Sequence, residues 1–308
     1  MSAEPSVPSH QKPPGGLANW LGLAAMRLLA HLPLPWIRAL GWLLGQVLHT
    51  VARRRRTIAR TNWSLCFPGQ SVAQRDAAIR RHFVYFAQAW LDRSWLWEAA
   101  PDVVRRRLLL KGDLGALEGG QPTVMFAPHF VGMDAGWTAI TAHLPRRFCG
   151  IYAEQLNPAV DRWMARGRQR FGDPHIVAMR QGLKPLVGAL RDGLPLYLLP
   201  DMDYGTRDSV FVPFFGVSTA TLTSLSRFAR LSRARVVPVV SRLTPGGYEV
   251  VVHPAWEAYP TADVEADTAL MNRRLEDFIA GMPEQYYWVH KRFKSRPPGE
   301  ASLYDGVR

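Results

Sequence analysis

The chain has 308 residues, of which 47% are hydrophobic, and a formal net charge of +13. This length and composition predict one sizeable domain with an extension, and the positive charge favours an acidic partner such as nucleic acid, anionic lipid or an acidic carrier protein. The two cysteines argue against a disulfide framework or a cysteine-rich zinc site. Because no cluster has convincing metal-ligand spacing, neither a metal nor a cofactor is expected.

The N-terminal part of the chain differs in composition from the rest. Residues 1–16 are rich in Pro and Gly and lack apolar periodicity, which predicts a disordered tail. Residues 17–56 are mostly apolar, are interrupted by Pro33 and Pro35, and end in four arginines at 53–56. Each apolar piece is shorter than the roughly 20 residues of a spanning helix. We therefore predict membrane-associated helices that form an interfacial hairpin; the alternatives are a spanning helix and amphipathic helices packed on the protein's own core.

Residues 57–297 have the pattern of an α/β domain, and residues 298–308 are predicted to form a C-terminal tail. Ser71 is positioned to cap a long amphipathic helix that continues to about Ala100. Beyond it, apolar runs alternate with helical stretches, which predicts a mixed, mostly parallel sheet flanked by helices. The predicted strands are 124–127, 147–152, 194–200, 236–243 and 248–253, and the later helices are 157–170, 182–191, 218–232 and 264–281.

A histidine follows the first predicted strand. His129 comes directly after the apolar run 124–127 and Pro128, at the carboxyl end of the strand, where ligands bind in open α/β sheets, and Asp134 follows five positions later. Five helical residues turn by about 500°, roughly 140° net, so the two side chains meet only if His129 lies in the turn before the helix. Asp134 would then accept a hydrogen bond from one imidazole nitrogen and leave the other as a general base.

This H-x4-D pair lacks a nucleophile of its own. Its absence suggests that a substrate hydroxyl, deprotonated by His129, attacks an activated acyl group. The alternative is a buried histidine and a carboxylate at a helix start, because this spacing is common by chance.

Two later groups also point to a site. Asp201 and Asp203 follow the predicted strand 194–200 and are expected beside a ligand; the alternative is a pair of turn caps. The apolar stretch 211–216 is predicted as a loop, and its aromatic side chains would be unusual on a solvated surface.

Six segments resemble the bacterial lipid A late acyltransferases of the lysophospholipid acyltransferase superfamily, and the resemblance covers roughly residues 17–297. The segments are Asn62-Trp-Ser-Leu-Cys-Phe-Pro68, His129-Phe-Val-Gly-Met-Asp134, Asn157-Pro158 with Arg168 and Arg170-Phe-Gly172, Asp201-Met-Asp-Tyr-Gly205, Val210-Phe-Val-Pro-Phe-Phe-Gly216 and His290-Lys-Arg-Phe-Lys294. The resemblance implies a glycerolipid acyltransferase-like fold and an enzyme on the cytoplasmic face of the cell inner membrane. Such an enzyme moves a fatty acyl chain from acyl carrier protein to a hydroxyl of a Kdo-bearing lipid A precursor.

The chain departs from the family pattern at three places. Many relatives have glutamate at the position of Asp134. The N-terminal helical segment of this chain is broken, so a spanning anchor does not follow from the resemblance. Relatives often carry Arg-Pro where this chain has Ala153-Glu154. The candidates for binding an acceptor phosphate or sugar acid are therefore three other arginines, namely Arg166, Arg168 and Arg170, with Arg168 first. A solvated basic helix face is the alternative.

The resemblance implies further roles. Asp134 orients His129, and amides at the start of the following helix bind the oxyanion, with Gly132 allowing close approach; a simple turn glycine is the alternative. Asp201 and Asp203 would bind acceptor hydroxyls or hold the arginines.

Aromatic side chains have expected roles as well. Three phenylalanines are expected to line the acyl slot, with core packing as the alternative: Phe211, Phe214 and Phe215. The segment 286–294 mixes aromatics with cations, which suits a lipid headgroup or the acidic carrier; a plain basic tail is the alternative.

Other functions stay open from the sequence. The acceptor could be another membrane lipid, such as a glycolipid, a lysophospholipid or an ornithine lipid, and a non-catalytic peripheral lipid-binding protein is a further alternative. Nucleic acid is not expected as a partner, since no helix-turn-helix, zinc-finger or RNA-recognition signature is present. Acyl length, the position acylated, the choice between acyl carrier protein and coenzyme A, and the oligomeric state are not fixed by the sequence.

Overall fold

The computed structural model describes residues 16–182 and 184–305. The predicted disordered tail therefore lies outside the described residues, except for Gly16. The helices are α1 (Leu17–Leu29), α2 (Leu34–Val51), α3 (Arg53–Cys66), α4 (Val72–Glu98), α5 (Pro101–Arg107), α6 (Met133–His143), α7 (Pro158–Arg168), α8 (Lys184–Arg191), α9 (Ser224–Ser232) and α10 (Val264–Ala280). The strands are β1 (Leu108–Gly112), β2 (Thr123–Phe126), β3 (Cys149–Tyr152), β4 (His175–Ala178), β5 (Leu196–Leu198), β6 (Ser209–Phe214), β7 (Val217–Leu222), β8 (Arg235–Thr244) and β9 (Gly247–Val252).

Seven of these strands form one mixed sheet in the order β1-β9-β8-β2-β5-β3-β4. Neighbouring strands in this sheet run parallel, apart from the antiparallel pair β8 and β9. The prediction of a mixed, mostly parallel sheet flanked by helices is confirmed.

The central strand β2 is buried on both faces, as expected of a parallel strand covered by helices. Successive side chains of a strand point to opposite faces, and this alternation divides the core into two parts. Val124 and Phe126 pack in the cluster that includes α8, α9 and α10. Met125 and Ala127 pack in the cluster that includes α6 and α7. Residues that follow β2 at its carboxyl end therefore lie at the edge between two helical layers.

Helix α4 begins and ends where its sequence indicates. Ser71 accepts a hydrogen bond from the amide of Gln74, and the Gln74 side chain accepts one from the amide of Ser71, which completes a capping box. The helix ends at Glu98, and Pro101 begins α5 at a position where its missing N–H costs nothing.

The predicted loop at 211–216 and the predicted helix start at 218 are both wrong. These residues form an antiparallel hairpin of β6 and β7, and α9 begins only at Ser224. The hairpin turns at Phe215 and Gly216, whose φ angles are 49° and 76°. Two positive φ angles in a two-residue connection give the twist that a hairpin requires. The aromatic and β-branched residues of this stretch therefore belong to strands.

Helices α1 and α2 form in the segment that was predicted to associate with a membrane. Helix α2 packs closely on α4, because a Cβ at Gly45 would lie 2.5 Å from the Cα of Val84 and one at Gly41 would lie 2.8 Å from the Cα of Gln88. Among the described helices, none has both the length and the apolar character needed to cross a bilayer. Membrane association of α1 and α2 stays a prediction.

The predicted C-terminal tail is partly built into the fold. Tyr304 is buried, its hydroxyl is hydrogen-bonded to the Asn62 side chain, and it accepts a hydrogen bond from the amide of Phe293 at 3.1 Å. A hydroxyl with both bonds satisfied can be buried at low cost. This contact ties residues near the C-terminus to α3.

Candidate active site

His129 lies in the turn between β2 and α6, as predicted. Its Nδ1 is 2.8 Å from the Oδ1 of Asp201, and its backbone N–H donates to the Oδ2 of Asp201 at 3.0 Å. Asp201 is fully buried at the end of β5, which is the neighbour of β2 in the sheet. Burial acts to raise the pKa of Asp201, but electrostatic attraction to the His129 ring and the hydrogen bonds from His129 outweigh that effect and lower it. A carboxylate that accepts from Nδ1–H leaves Nε2 as the free, basic nitrogen.

The predicted hydrogen bond between Asp134 and His129 is wrong. Asp134 lies in the first turn of α6, and its two carboxylate oxygens face away to two arginines. Arg168 donates to Oδ1 at 2.9 Å, and Arg93 donates to Oδ2 at 2.8 Å. Burial acts to raise the pKa of Asp134, but the charges of Arg168 and Arg93 prevail and lower it to about 2. Asp134 is therefore an ionised carboxylate between two guanidinium groups.

The turn that carries His129 is held by a segment near the C-terminus. The amide of Val131 donates to the carbonyl of Gln285 at 2.8 Å, and the amide of Tyr287 donates to the carbonyl of His129 at 3.0 Å. Phe130 and Tyr286 form the antiparallel bridge between these two bonds. The backbone of His129 is thus fixed on both sides, by Asp201 and by this segment.

A mostly apolar cavity of about 670 Å³ adjoins the histidine. Its lining includes His129, whose side chain is 14% exposed, together with Arg168 and Asp134. Nδ1 is turned toward the buried Asp201, which leaves Nε2 on the other side of a ring that lines the cavity. A free imidazole nitrogen beside a mostly apolar cavity whose lining includes three arginines can deprotonate a hydroxyl of a bound apolar, anionic substrate.

Two predicted binding residues have structural roles. The carboxylate of Asp203 accepts hydrogen bonds from the amide of Gly205 at 2.9 Å and from the amide of Ser295 at 2.6 Å. It is 1% exposed and therefore not available to an acceptor hydroxyl. Gly132 precedes α6, and a Cβ at this position would lie 2.8 Å from the Tyr248 ring. Packing against Tyr248 alone accounts for glycine at this position, and the approach of a substrate to it stays a prediction.

The three predicted arginines separate in space. Arg168 reaches the cavity. Arg166 is exposed on α7, and no hydrogen bond of its side chain is found within the described residues. The guanidinium of Arg170 donates to the carbonyls of Leu96 and Ala99 at the end of α4, so it serves packing. Of the three, only Arg168 is placed to bind a ligand in this cavity.

The predicted acyl slot does not include the three phenylalanines, because none of them lines the cavity beside His129. Phe214 is fully buried, and its ring lies 5.9 Å from that of Phe293. Phe215 packs on Phe67 with ring centroids 5.2 Å apart, and Phe211 is half-buried in β6. Packing of the β6–β7 hairpin explains all three.

The segment 286–294 is also largely core. Tyr286, Trp288, Arg292 and Phe293 are each at most 1% exposed. The guanidinium of Arg292 donates to oxygens of Thr219, Ala220, Thr221 and Asn272 and lies 4.7 Å above the Phe214 ring. Lys294 is exposed and Lys291 is half-buried, so the expectation that this segment meets a headgroup or a carrier stays a prediction for these two lysines.

Two site residues were missed or misassigned from the sequence. The position of Asp201 at a strand end predicts a place near a ligand. It does not predict the hydrogen bond to His129. Arg93, on α4, was not singled out, and nothing in its neighbourhood along the chain distinguishes it from the other arginines of that helix.

Known proteins resemble this chain over nearly its whole length. The sequence model of the family described as bacterial lipid A biosynthesis acyltransferase matches residues 7–295. A lipid A biosynthesis palmitoleoyltransferase of Escherichia coli is 34% identical over 93% of this chain and 94% of its own length. A lipid A biosynthesis lauroyltransferase of the same organism is 33% identical over the same shares. A myristoyltransferase of that pathway is 31% identical over 92% of this chain and 89% of its own length.

Proposed function

The chain belongs to the bacterial lipid A biosynthesis acyltransferase family, and on that premise we propose that it moves a fatty acyl chain from acyl carrier protein to a hydroxyl of a Kdo-bearing lipid A precursor. The observation that carries the proposal is the His129 imidazole, fixed at Nδ1 by Asp201 and lining a mostly apolar cavity. Its relatives are named for palmitoleoyl, lauroyl and myristoyl transfer.

The reaction in this proposal is a direct transfer. The Nε2 of His129 takes the proton of the acceptor hydroxyl while the hydroxyl oxygen attacks the thioester carbonyl. Asp201 stabilises the imidazolium that forms and keeps the ring in the tautomer with a free Nε2. The C–S bond then breaks as the ester C–O bond is completed, and the proton on His129 passes to the leaving thiolate. No acyl-enzyme is needed, so the site requires no nucleophile of its own.

Asp134 has a different role in this mechanism from the one its spacing suggested. It holds the side chains of Arg93 and Arg168 in place, and the three groups together carry one net positive charge. Arg168 borders the cavity and is the candidate for binding a phosphate or sugar acid of the acceptor. Asp134 is thus a positioning residue for Arg168.

The donor side of the proposal rests on charge at the opening of the cavity. Arg207 and Arg227 both line it and are exposed, and together with Asp208, which pairs with both, they carry one net positive charge. Exposed arginines attract an acidic protein over a distance that salt shortens, since screening sets in at about 8–10 Å in physiological salt. Transfer from acyl carrier protein is therefore expected to slow as ionic strength rises.

Association with the inner membrane is proposed from the surface of α2. Its buried side includes Ile37 and Gly45, whereas exposed apolar residues recur on the other side at steps of three and four. This outward stripe consists of Trp36, Leu40, Leu43, Val47 and Val51. From Pro5 to Arg75 the chain has no Asp or Glu. An apolar stripe on a carboxylate-free, arginine-containing segment suits the interface of an anionic leaflet, and we place it on the cytoplasmic face.

Transfer assays with matched donors and acceptors test the proposal. The purified protein in detergent would be given the same acyl group on acyl carrier protein or on coenzyme A, with the precursor bearing Kdo, the precursor lacking Kdo, or a lysophospholipid. Mass spectrometry is expected to detect the added acyl group on the Kdo-bearing precursor, with acyl carrier protein as the better donor. Acylation of the lysophospholipid alone would favour the other membrane acceptors, and binding without transfer to any acceptor would contradict an enzymatic role.

A further inference from the structure

The cavity beside His129 reaches both faces of the sheet. Gly150 and Ile151 are consecutive residues of β3, and Tyr197 and Leu198 are consecutive residues of β5, yet all four line it. Consecutive strand residues point to opposite faces. The pairing of β3 with β5 includes Gly150 and Tyr197 but ends before Ile151 and Leu198. The cavity therefore passes between the carboxyl ends of these two strands and has one lobe on each face.

The first lobe, which we call the α9 lobe, lies under α8 and α9. Most of its wall is apolar and consists of Ile151, Val187, Leu198, Phe228 and Leu231, and Arg227 of α9 also lines it, with an exposed guanidinium. Ser224 and Leu231 both line it, and seven residues of helix separate them by about 10 Å. This lobe thus offers a long apolar slot along a helix.

The second lobe, which we call the α6 lobe, lies under α6 and α7. Met133 and Trp137 line it from α6, and four residues of helix separate them by about 6 Å. Ile176 lines it from β4 and is the register partner of Gly150, so both point to this face. A charged pair also borders this lobe, namely Arg168 and its partner Asp134.

We propose that the α9 lobe binds the acyl chain of the donor and the α6 lobe binds an acyl chain of the acceptor, with His129 at their junction. The assignment rests on the proposed function, because a transfer between two lipids requires room for two chains. The longer lobe, with its apolar residues along α9, suits an unsubstituted fatty acyl chain, and the exposed Arg227 beside it suits the acidic carrier. The shorter lobe suits an acceptor chain whose headgroup carries anionic groups that Arg168 binds.

The lobes can be filled separately by the same side chain. Val187→Phe narrows the α9 lobe, and Ile176→Phe narrows the α6 lobe; both residues are half-buried, so each variant is expected to fold. Thermal unfolding would verify that. The enzyme would be given a mixture of acyl carrier proteins loaded with chains of graded length, and the products would be separated by mass.

The two variants are expected to differ in opposite ways. Val187→Phe shifts the products to shorter chains, with the ratio of long to short products reduced about tenfold or more, and leaves the KM for the acceptor near that of wild type. Ile176→Phe leaves the product distribution unchanged and raises the KM for the acceptor. If Ile176→Phe shortens the product chains and Val187→Phe does not, the assignment is reversed; if each variant changes both quantities equally, the cavity binds a single chain.

A binding measurement separates this inference from the proposed reaction. A fluorescent fatty acid is expected to bind wild type and Ile176→Phe alike and to bind Val187→Phe about tenfold more weakly. Absence of transfer by wild type, together with this binding pattern, would refute the proposed reaction and retain the α9 lobe as the chain site. Equal binding by all three proteins would overturn the lobe assignment whether or not transfer occurs.

Discussion

Substitution of Asp201 by asparagine tests the geometry of the base directly. In the wild type, one carboxylate oxygen accepts from the Nδ1–H of His129 at 2.8 Å and the other accepts from its backbone N–H at 3.0 Å. An asparagine that keeps the backbone bond turns its NH₂ toward Nδ1, which must then accept a hydrogen bond. The ring proton moves to Nε2, and the base is lost.

Asp201→Asn removes general-base catalysis, because His129 then carries its proton on Nε2. We expect kcat of Asp201→Asn to fall about 10²–10⁴-fold, which corresponds to roughly 3–5 kcal/mol of activation free energy. The assay is the rate of acyl transfer to the lipid A precursor at saturating donor and acceptor, with thermal unfolding used to verify the fold.

Matched variants complete this test. Asp203→Asn changes a buried carboxylate in the same turn that contacts Ser295 and Gly205, so it is expected to lower the unfolding temperature more than kcat. Asp134→Asn is expected to act mainly through Arg168, as a higher KM for the acceptor. Asp201 is not the partner of the base if folded Asp201→Asn retains wild-type kcat while Asp134→Asn loses it as completely as a variant without His129.

Three further predictions concern stability and membrane binding. Gly45→Ala is expected to lower the free energy of unfolding by about 1–3 kcal/mol, because its Cβ would meet the α4 backbone. Gly22→Ala on α1 is the control: its Cβ meets no atom within 4 Å, so a slight gain in stability is expected. Paired melting curves compare the two variants. Burial lowers the pKa of His82 to about 4, below its unfolded value of 6.5. Because the unfolded chain then takes up a proton before the folded chain does, the wild type is expected to lose roughly 3 kcal/mol of stability between pH 6.5 and pH 4. An equally steep loss of stability in His82→Asn would show that His82 is not the cause. The double variant Trp36→Gln/Leu43→Gln is expected to sediment less with vesicles of anionic lipid than the control variant Leu109→Gln, which changes an exposed apolar residue on β1. Equal sedimentation of the two variants would argue against membrane binding through the α2 stripe.

The sequence was most informative where a local rule determines the structure. The apolar run before His129 is sufficient to predict a buried parallel strand, and the Ser71 cap predicts the start of α4. The stretch 211–216 was misassigned because a short apolar run fits a loop or a strand equally well until its turn geometry is known. The φ angles of Phe215 and Gly216 decide in favour of a hairpin.

The site was harder to predict because its contacts join distant parts of the chain. His129 and Asp201 are 72 positions apart and become neighbours only because β5 inserts beside β2, and strand order does not follow from the pattern of single strands. Asp134 is close to His129 along the chain, but the arginines of α4 and α7 compete for it. Charge attraction from two guanidinium groups outweighs one neutral imidazole, so the nearer carboxylate is not the partner.

The most direct test of the account is acyl transfer from acyl carrier protein to the Kdo-bearing precursor by wild type and His129→Ala, measured side by side on proteins with matching melting curves. We predict transfer by wild type and a loss of about 10²-fold or more in the variant, as expected when a general base is removed. Equal transfer by both proteins would contradict it, because His129 would then be a structural residue.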